Sequence, residues 1–253
     1  MKKAKIIFTV VACCLLFVNG AVQGEDFEDS AIGQELVNIG LKFLDNPGDF
    51  FFNLHMANED FSPVPFKKHG SIRWNFFPTT LPLSWMNLNL KVKAYGEKNF
   101  VPQIDIIGQY GDLLGLRMLE IEEGDVEPSF NDYSAGLVFS KTVAEGTQFY
   151  WGGKYSNVSM EVKLSSSSEV EFGDFKFSEV KFDIKDTFIF AGITHQKNME
   201  DPKRLVVQMG YGLDYKKIVT RMMMSHEHYE WGIDILPEGM FVIHPFMGWH
   251  WNF

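Results

Sequence analysis

Cysteine is almost absent from this chain: there are two among 253 residues, Cys13 and Cys14. Both sit in the opening stretch "MKKAKIIFTVVACCLLFVNGAVQGED", which has the layout of a secretory signal peptide. Lys2, Lys3 and Lys5 form its basic start, Ile6 to Val18 its apolar run, and Val22 and Gly24, or Val18 and Gly20, its small-residue cleavage motif. Once residues 1–24 are removed, no disulfide can staple the exported chain, so its stability rests on hydrogen bonds and burial. Positive charge is also scarce. Three lysines leave with the signal, so the 23 Lys and Arg fall to 20 against 33 Asp and Glu. That balance argues against nucleic-acid partners and against docking on an anionic surface. A third shortage is of long apolar runs: nothing after the signal approaches the roughly 20 residues that a membrane helix needs.

What the chain has in abundance is alternation. "LNLKVKAY" sets Leu88, Leu90 and Val92 against Asn89, Lys91 and Lys93. "YSAGLVFSKT", "QFYWGGKYS", "EVKFDIKD", "VVQMGYGLDY" and "YEWGIDI" repeat the pattern. A period of two maintained this often indicates strands. One face is apolar and rich in aromatics; the other carries Gly, Ser, Asn, Gln and charges of both signs. A two-sheet sandwich also alternates. Here, though, the apolar-face aromatics gather near the segment ends, as girdles at two membrane interfaces do.

The last segment, "FMGWHWNF", places Met247, Trp249, Trp251 and Phe253 in one file. This ending, with the signal peptide and the strand pattern, resembles the C-terminal signature of Gram-negative outer-membrane β-barrel proteins. The resemblance implies an all-β fold, an antiparallel transmembrane barrel; counting the alternating segments gives about ten strands (roughly 8–12). The resemblance implies outer-membrane lipid as solvent, and periplasmic chaperones and the barrel-assembly machinery as partners. It also makes Met247, Trp249, Trp251 and Phe253 the assembly signal. It names no family within that class.

The expected organisation is a signal peptide over 1–24, an N-terminal periplasmic segment over 25–69, and the barrel over 70–253. Ile32, Leu36, Ile39 and Phe43 have helical spacing and predict an amphipathic helix near 30–45. "NLHMANEDFSPVPFKKHG" after it reads as a linker. Strands are expected near 70–77, 87–96, 101–110, 133–143, 147–158, 172–184, 187–195, 204–214, 227–236 and 241–253. Lys185-Asp186 then serves as a tight turn. With both termini in the periplasm, 112–132, 165–168 and 196–203 become outer loops. The region 214–240 does not fit this scheme and suggests a strand left out.

No phosphate-binding loop, nucleophile elbow or zincin motif is present, and no cofactor is expected. His226, Glu227, His228 and Glu230 make at most a weak metal cluster, and a solvated loop is the simpler reading. His244 and His250 share a face with Asn252 without a hydrolase motif around them. The polar face says more. Lys91, Lys93, Asp105, Lys154, Lys181, Asp183, Lys185, Glu230 and Asp234 are the candidate lumen charges, expected to pair across the interior because a lone buried charge is costly. About ten strands leave too narrow a lumen for a general diffusion pore. The expected function is structural, or a narrow pore for a small or amphipathic solute. The alternatives are an outer-membrane lipid-modifying enzyme and a soluble periplasmic β-sheet binding domain.

Overall fold

Alternating side chains let a sheet close on itself only if one face tolerates a shared interior, and here ten strands do so. The computed structural model describes residues 55–56, 59–77, 85–113, 127–163, 170–172, 175–177, 179–197, 203–237 and 243–253. The strands are β1 (Gly70–Phe77), β2 (Trp85–Tyr95), β3 (Gln103–Leu113), β4 (Glu127–Ala144), β5 (Thr147–Lys163), β6 (Val170–Phe172), β7 (Phe175–Phe177), β8 (Glu179–Gln196), β9 (Arg204–Gly212), β10 (Ile218–Ser225), β11 (Tyr229–Ile235) and β12 (Ile243–Asn252). All but β6 and β7 form one closed antiparallel barrel in the order β1-β12-β11-β10-β9-β8-β5-β4-β3-β2; β6 and β7 form a separate two-stranded sheet. The signal peptide and the helix near 30–45 lie outside the described residues.

Closure is made by the two ends of the barrel sequence. Ile72 pairs with Trp251 and Trp74 with Trp249. The Phe253 N–H donates to the Gly70 carbonyl at 3.0 Å, and the Phe253 carbonyl accepts from the Gly70 N–H at 3.0 Å. Gly70 is required here: a Cβ would stand 2.5 Å from the Phe253 ring. At this same end, β4 turns into β5 through Glu145-Gly146. Gly146 has a φ of +67°, and a Cβ on it would meet the Gln196 carbonyl at 2.0 Å.

The count of ten strands matches expectation through two compensating errors. β8 is one continuous strand and runs through Lys185-Asp186, which is not a turn. Asp186 looks polar enough to break a strand, but it faces inward and accepts the Asp214 N–H at 3.0 Å. β10 is the strand left out of 214–240. Its sequence "IVTRMMMS" hides the alternation, because methionines serve both faces: Met223 is buried and Met222 exposed. The corrected topology also puts Gln196 and Arg204, the strand ends that flank the expected outer loop 196–203, at the end that holds Phe253, together with 96–102, 145–146 and 226–228. At the opposite end stand Phe77 and Trp85, Leu113 and Glu127, Lys163 and Glu179, Gly212 and Ile218, and Ile235 and Ile243, the strand ends that flank the longest intervening stretches of sequence. There β4, β5 and β8, at 18, 17 and 18 residues, outrun their neighbours and project as a three-stranded sheet.

Glycines of the interior face seat aromatic rings from neighbouring strands. Phe190 lies over Gly152, Tyr150 over Gly192 and Phe246 over Gly232, each ring within 2.7 Å of where a Cβ would stand. This cross-strand packing explains the glycine-rich polar face. Wall side chains fill an eight-stranded barrel, whereas ten strands leave extra room. Residues 59–65, taken for part of a linker, occupy that room: Glu59, Asp60, Phe61, Ser62 and Val64 are all buried inside the barrel.

Candidate functional site in the lumen

The threaded segment can be followed by its contacts. His55 reaches Asp132 of β4 at 2.8 Å, on the side of the long connections. The Met56 carbonyl accepts from Arg221 Nη2 at 2.9 Å. Glu59 pairs with Lys154 of β5, and Asp60 with Lys91 of β2. Phe61 stacks on Phe190 with ring centres 4.8 Å apart, and the Lys154 ammonium lies 4.6 Å above the same Phe61 ring. The Val64 N–H donates to Asp105 Oδ2 at 2.8 Å, and its carbonyl accepts from Gln103 Nε2 at 3.0 Å. Lys93 then donates to the carbonyls of Pro65 and Phe66 at 3.2 and 2.9 Å, and the chain leaves the lumen beside Phe253.

Two kinds of wall cation meet in this interior. Arg73 of β1 and Arg221 of β10 have carboxylates on the wall itself. Arg221 makes a two-pronged contact with Asp234, at 2.7 Å from Nε and 2.7 Å from Nη2. Arg73 reaches Glu230, which is also 3.4 Å from His250. Both guanidinium groups flank the Phe246 ring, at 5.6 and 4.4 Å from its centre. Lys91, Lys154 and Arg204 differ. Among the described residues, every hydrogen bond and ion pair of these three side chains ends on residues 59–63. Lys91 Nζ meets Asp60, the Ser62 carbonyl at 2.7 Å and Ser62 Oγ at 3.1 Å. Lys154 meets Glu59. Arg204 donates to the Pro63 carbonyl at 2.8 Å and to Ser62 Oγ at 3.1 Å. A cavity of about 10 Å³, room for about one water, lies between Glu59, Asp60, Lys91, Gln109, Ser134 and Lys154.

Of the charges expected inside, the structure places Lys91, Asp105, Lys154, Glu230 and Asp234 in the lumen and Lys93 half-buried at its mouth. Lys181, Asp183 and Lys185 are a correction: their side chains face outward and are 58, 47 and 54 % exposed. Because β8 is continuous, Phe188 and Phe190 facing inward fix the parity of the whole strand, so Ile184 goes in and its odd-numbered neighbours go out. Those neighbours lie on the projecting sheet, where Lys181 pairs with Glu161 at 3.0 Å and Lys185 with Asp183 at 2.7 Å.

Sequence reasoning missed Arg73, Arg204 and Arg221, and with them His55, Glu59 and Asp60. Arg221 left a signal, a charge inside an apolar strand. Glu59-Asp60 left none, since an acidic pair ahead of a strand looks like solvated linker.

Met247, Trp249, Trp251 and Phe253 all stand on the outer surface, the first three on β12. The histidine cluster is split: the His226 ring stacks on Tyr229 at 4.5 Å, His228 on Trp249 at 6.5 Å, and Glu230 turns inward. Among the described residues, no group of three or more His, Cys, Asp or Glu is placed to hold a metal. Ser225 Oγ lies 3.5 Å from His250 Nε2, which puts Ser225, His250 and Glu230 in the order of a hydrolase triad. Glu230 is committed to Arg73, however, and the serine is sealed within the wall at 4 % exposure. The trio therefore belongs to the lumen network.

No family model matches this chain, and neither does any curated protein or solved structure.

Proposed function

We propose that this protein is an integral outer-membrane β-barrel whose narrow lumen is stoppered by its own residues 59–66. The observation that carries the reading is the outer surface. Leu88, Leu90, Ile106, Leu137, Ile189, Val207, Met209, Met222, Ile233 and Met247 are all more than a third exposed, and they encircle a barrel with no open edge. A water-soluble monomer seldom exposes a continuous apolar patch beyond a few hundred Å². Closure also meets the demand of lipid that every backbone group be paired within the protein.

Two aromatic levels frame this band. Phe149, Trp151, Tyr229, Trp231, Trp249, Trp251 and Phe253 stand toward the end that holds the C-terminal residue, and Tyr110, Tyr133, Tyr155 and Tyr211 toward the other. Such rings favour membrane interfaces. Beyond the tyrosines, the outer face of the projecting sheet turns polar at Asn131, Asp183 and Lys185, which suits a part standing clear of lipid. In this orientation Phe253 is periplasmic and the long connections face outside.

The mature protein is expected to fractionate with outer membranes, to resist carbonate extraction and to migrate anomalously on gels unless heated. Recovery in the osmotic-shock fluid would sink the reading. The assembly signal is tested separately. Deleting Phe253 removes one ring from the outer surface, worth about 2–3 kcal/mol, and the hydrogen bonds of its backbone with His69 and Gly70, worth about 1 kcal/mol each; the β1–β12 pairs from Ser71–Asn252 to Phe77–Met247 remain, so the variant refolded from urea into detergent is expected to keep its strand content. In cells the same variant is expected to accumulate unfolded or to be degraded. Normal assembly in cells would mean that the ending carries no targeting information.

A further inference from the structure

The stopper holds its charges where a ligand would. Glu59 and Asp60 place two carboxylates inside a low-dielectric wall, against two ammonium groups from strands on different sides of the lumen. The third cation of the set, Arg204, is satisfied only by Ser62 Oγ and the Pro63 carbonyl among the described residues. The other wall charges are already provided for. Arg73 and Arg221 hold Glu230 and Asp234. Of the remaining buried carboxylates nearest the segment, Asp105 accepts from Gln103 Nε2 at 3.0 Å, Asp132 from Gln109 Nε2 at 3.3 Å, and Asp186 from the Asp214 N–H at 3.0 Å.

Withdrawing residues 59–63 would therefore strip three buried cations of their partners at one place. Lys91 and Lys154 line the same small cavity, with Asn89, Gln109 and Ser134 as neutral hydrogen-bonding groups beside them. Buried cations without counter-charge are costly, so the segment can leave only as anions or water enter.

Building on the membrane-barrel reading, we infer that Lys91, Lys154 and Arg204 form a binding site for a small anionic solute, a carboxylate or phosphate, for which Glu59 and Asp60 are internal stand-ins. Solute and segment compete for the same three cations. The solute shifts the barrel toward its open form only by the difference in its affinity for the two forms. The selectivity of the pathway thus follows from the residues that close it. Lys91 and Lys154 fit a phosphate or carboxylate as point charges, and Arg204 adds a planar fork that can bind two oxygens at once.

The test uses the full mature chain refolded into detergent. Wild-type protein and Glu59→Gln/Asp60→Asn are first checked for heat-modifiable migration. Failure of the wild type at this step would count against the barrel reading and not against the anion site. Both are then inserted into planar bilayers under a potassium chloride gradient. The double variant is expected to open several-fold more often than wild type, with a reversal potential showing preference for chloride. Inorganic phosphate on one side is expected to block that current. Adding Lys91→Gln and Lys154→Gln is expected to abolish both the preference and the block. A heat-modifiable double variant that stays as closed as wild type, or that opens with a preference for potassium, overturns the proposal. If the double variant does not fold, Asp60→Asn alone goes through the same measurement. If that also fails, the segment is an obligatory part of the core and the proposal falls.

Discussion

In the sector formed by β10, β11, β12 and β1, each buried arginine finds its carboxylate on a strand of the wall. Arg221 lies opposite Asp234 in the β10–β11 register, and Arg73 crosses β12 beside Gly248 to reach Glu230. Around β2, β5 and β9, by contrast, the cations pair with a stretch of chain that belongs to no strand. Strand register alone brings the charges of the first arrangement together, and they meet as soon as the sheet closes. The second is complete only after a separate segment has entered the lumen. The same chemistry therefore makes one sector a fixed wall and the other a seat.

The sharpest way to break this contrast is to remove one partner from each sector. Asp234→Asn leaves the Arg221 guanidinium buried without its counter-charge, with the neutral Met56 carbonyl of the threaded segment still beside it. The expected cost is about 3–5 kcal/mol, read as a shift in urea midpoint in detergent. Glu59→Gln/Asp60→Asn disrupts two pairs but allows the segment to withdraw and water to reach Lys91 and Lys154. It is expected to cost less, about 1.5–3 kcal/mol. If the double variant proved the more damaging, the segment would be as much a part of the barrel's framework as the wall pairs.

The outer face should not distinguish the sectors at all. Leu137 on β4 and Met222 on β10 stand on opposite sides of that division, at 44 and 46 % exposure. Leu137→Arg and Met222→Arg are each expected to cost about 2–4 kcal/mol in lipid, if both lie near the midplane. Asn131→Arg, on the same face of β4 but on the projecting sheet, is expected to change stability by no more than about 0.5 kcal/mol. Equal costs at positions 131 and 137 would mean that the lipid band had been drawn in the wrong place.

The same contrast explains what could be read from the sequence. Period-two alternation depends on neighbours in the chain, so the outward files at Leu88–Val92, Val207–Tyr211 and Met247–Trp251 were legible, as were Lys91, Lys154, Glu230 and Asp234 on the opposite face. The inward turn of Ile184 was not. Its parity is set four and six residues away by Phe188 and Phe190, across an Asp186 that looks like a strand end. β10 was hidden because Met222 and Met223 are chemically alike while one faces out and the other in. The segment 59–65 was the least legible: its partners lie on β2, β3, β5 and β9, and no local spacing records a pairing between Asp60 and Lys91. The small charge clasp at the rim, between Glu97 and Lys141, is equally non-local.

That clasp is also where the smallest effect is expected, because it lies outside both sectors. Glu97, in the β2–β3 connection, receives the Thr142 N–H at 3.1 Å and the Thr142 hydroxyl at 2.7 Å, and meets Lys141 Nζ at 2.7 Å. Partial burial pushes its carboxyl up, but the hydrogen bonds and charge of Lys141 and Thr142 outweigh this and hold it below its ordinary value of 4.5. A carboxyl with a lowered folded-state value contributes stability above its unfolded value and loses that contribution as pH falls through the folded one. Wild type should therefore exceed Glu97→Gln at about pH 7 by less than about 1 kcal/mol, since the pair is partly exposed and screened. The two should converge in acid well below the ordinary carboxylate range. A Glu97→Gln deficit that widened in acid would show that the rim contact acts through packing and that the Glu97 charge contributes nothing.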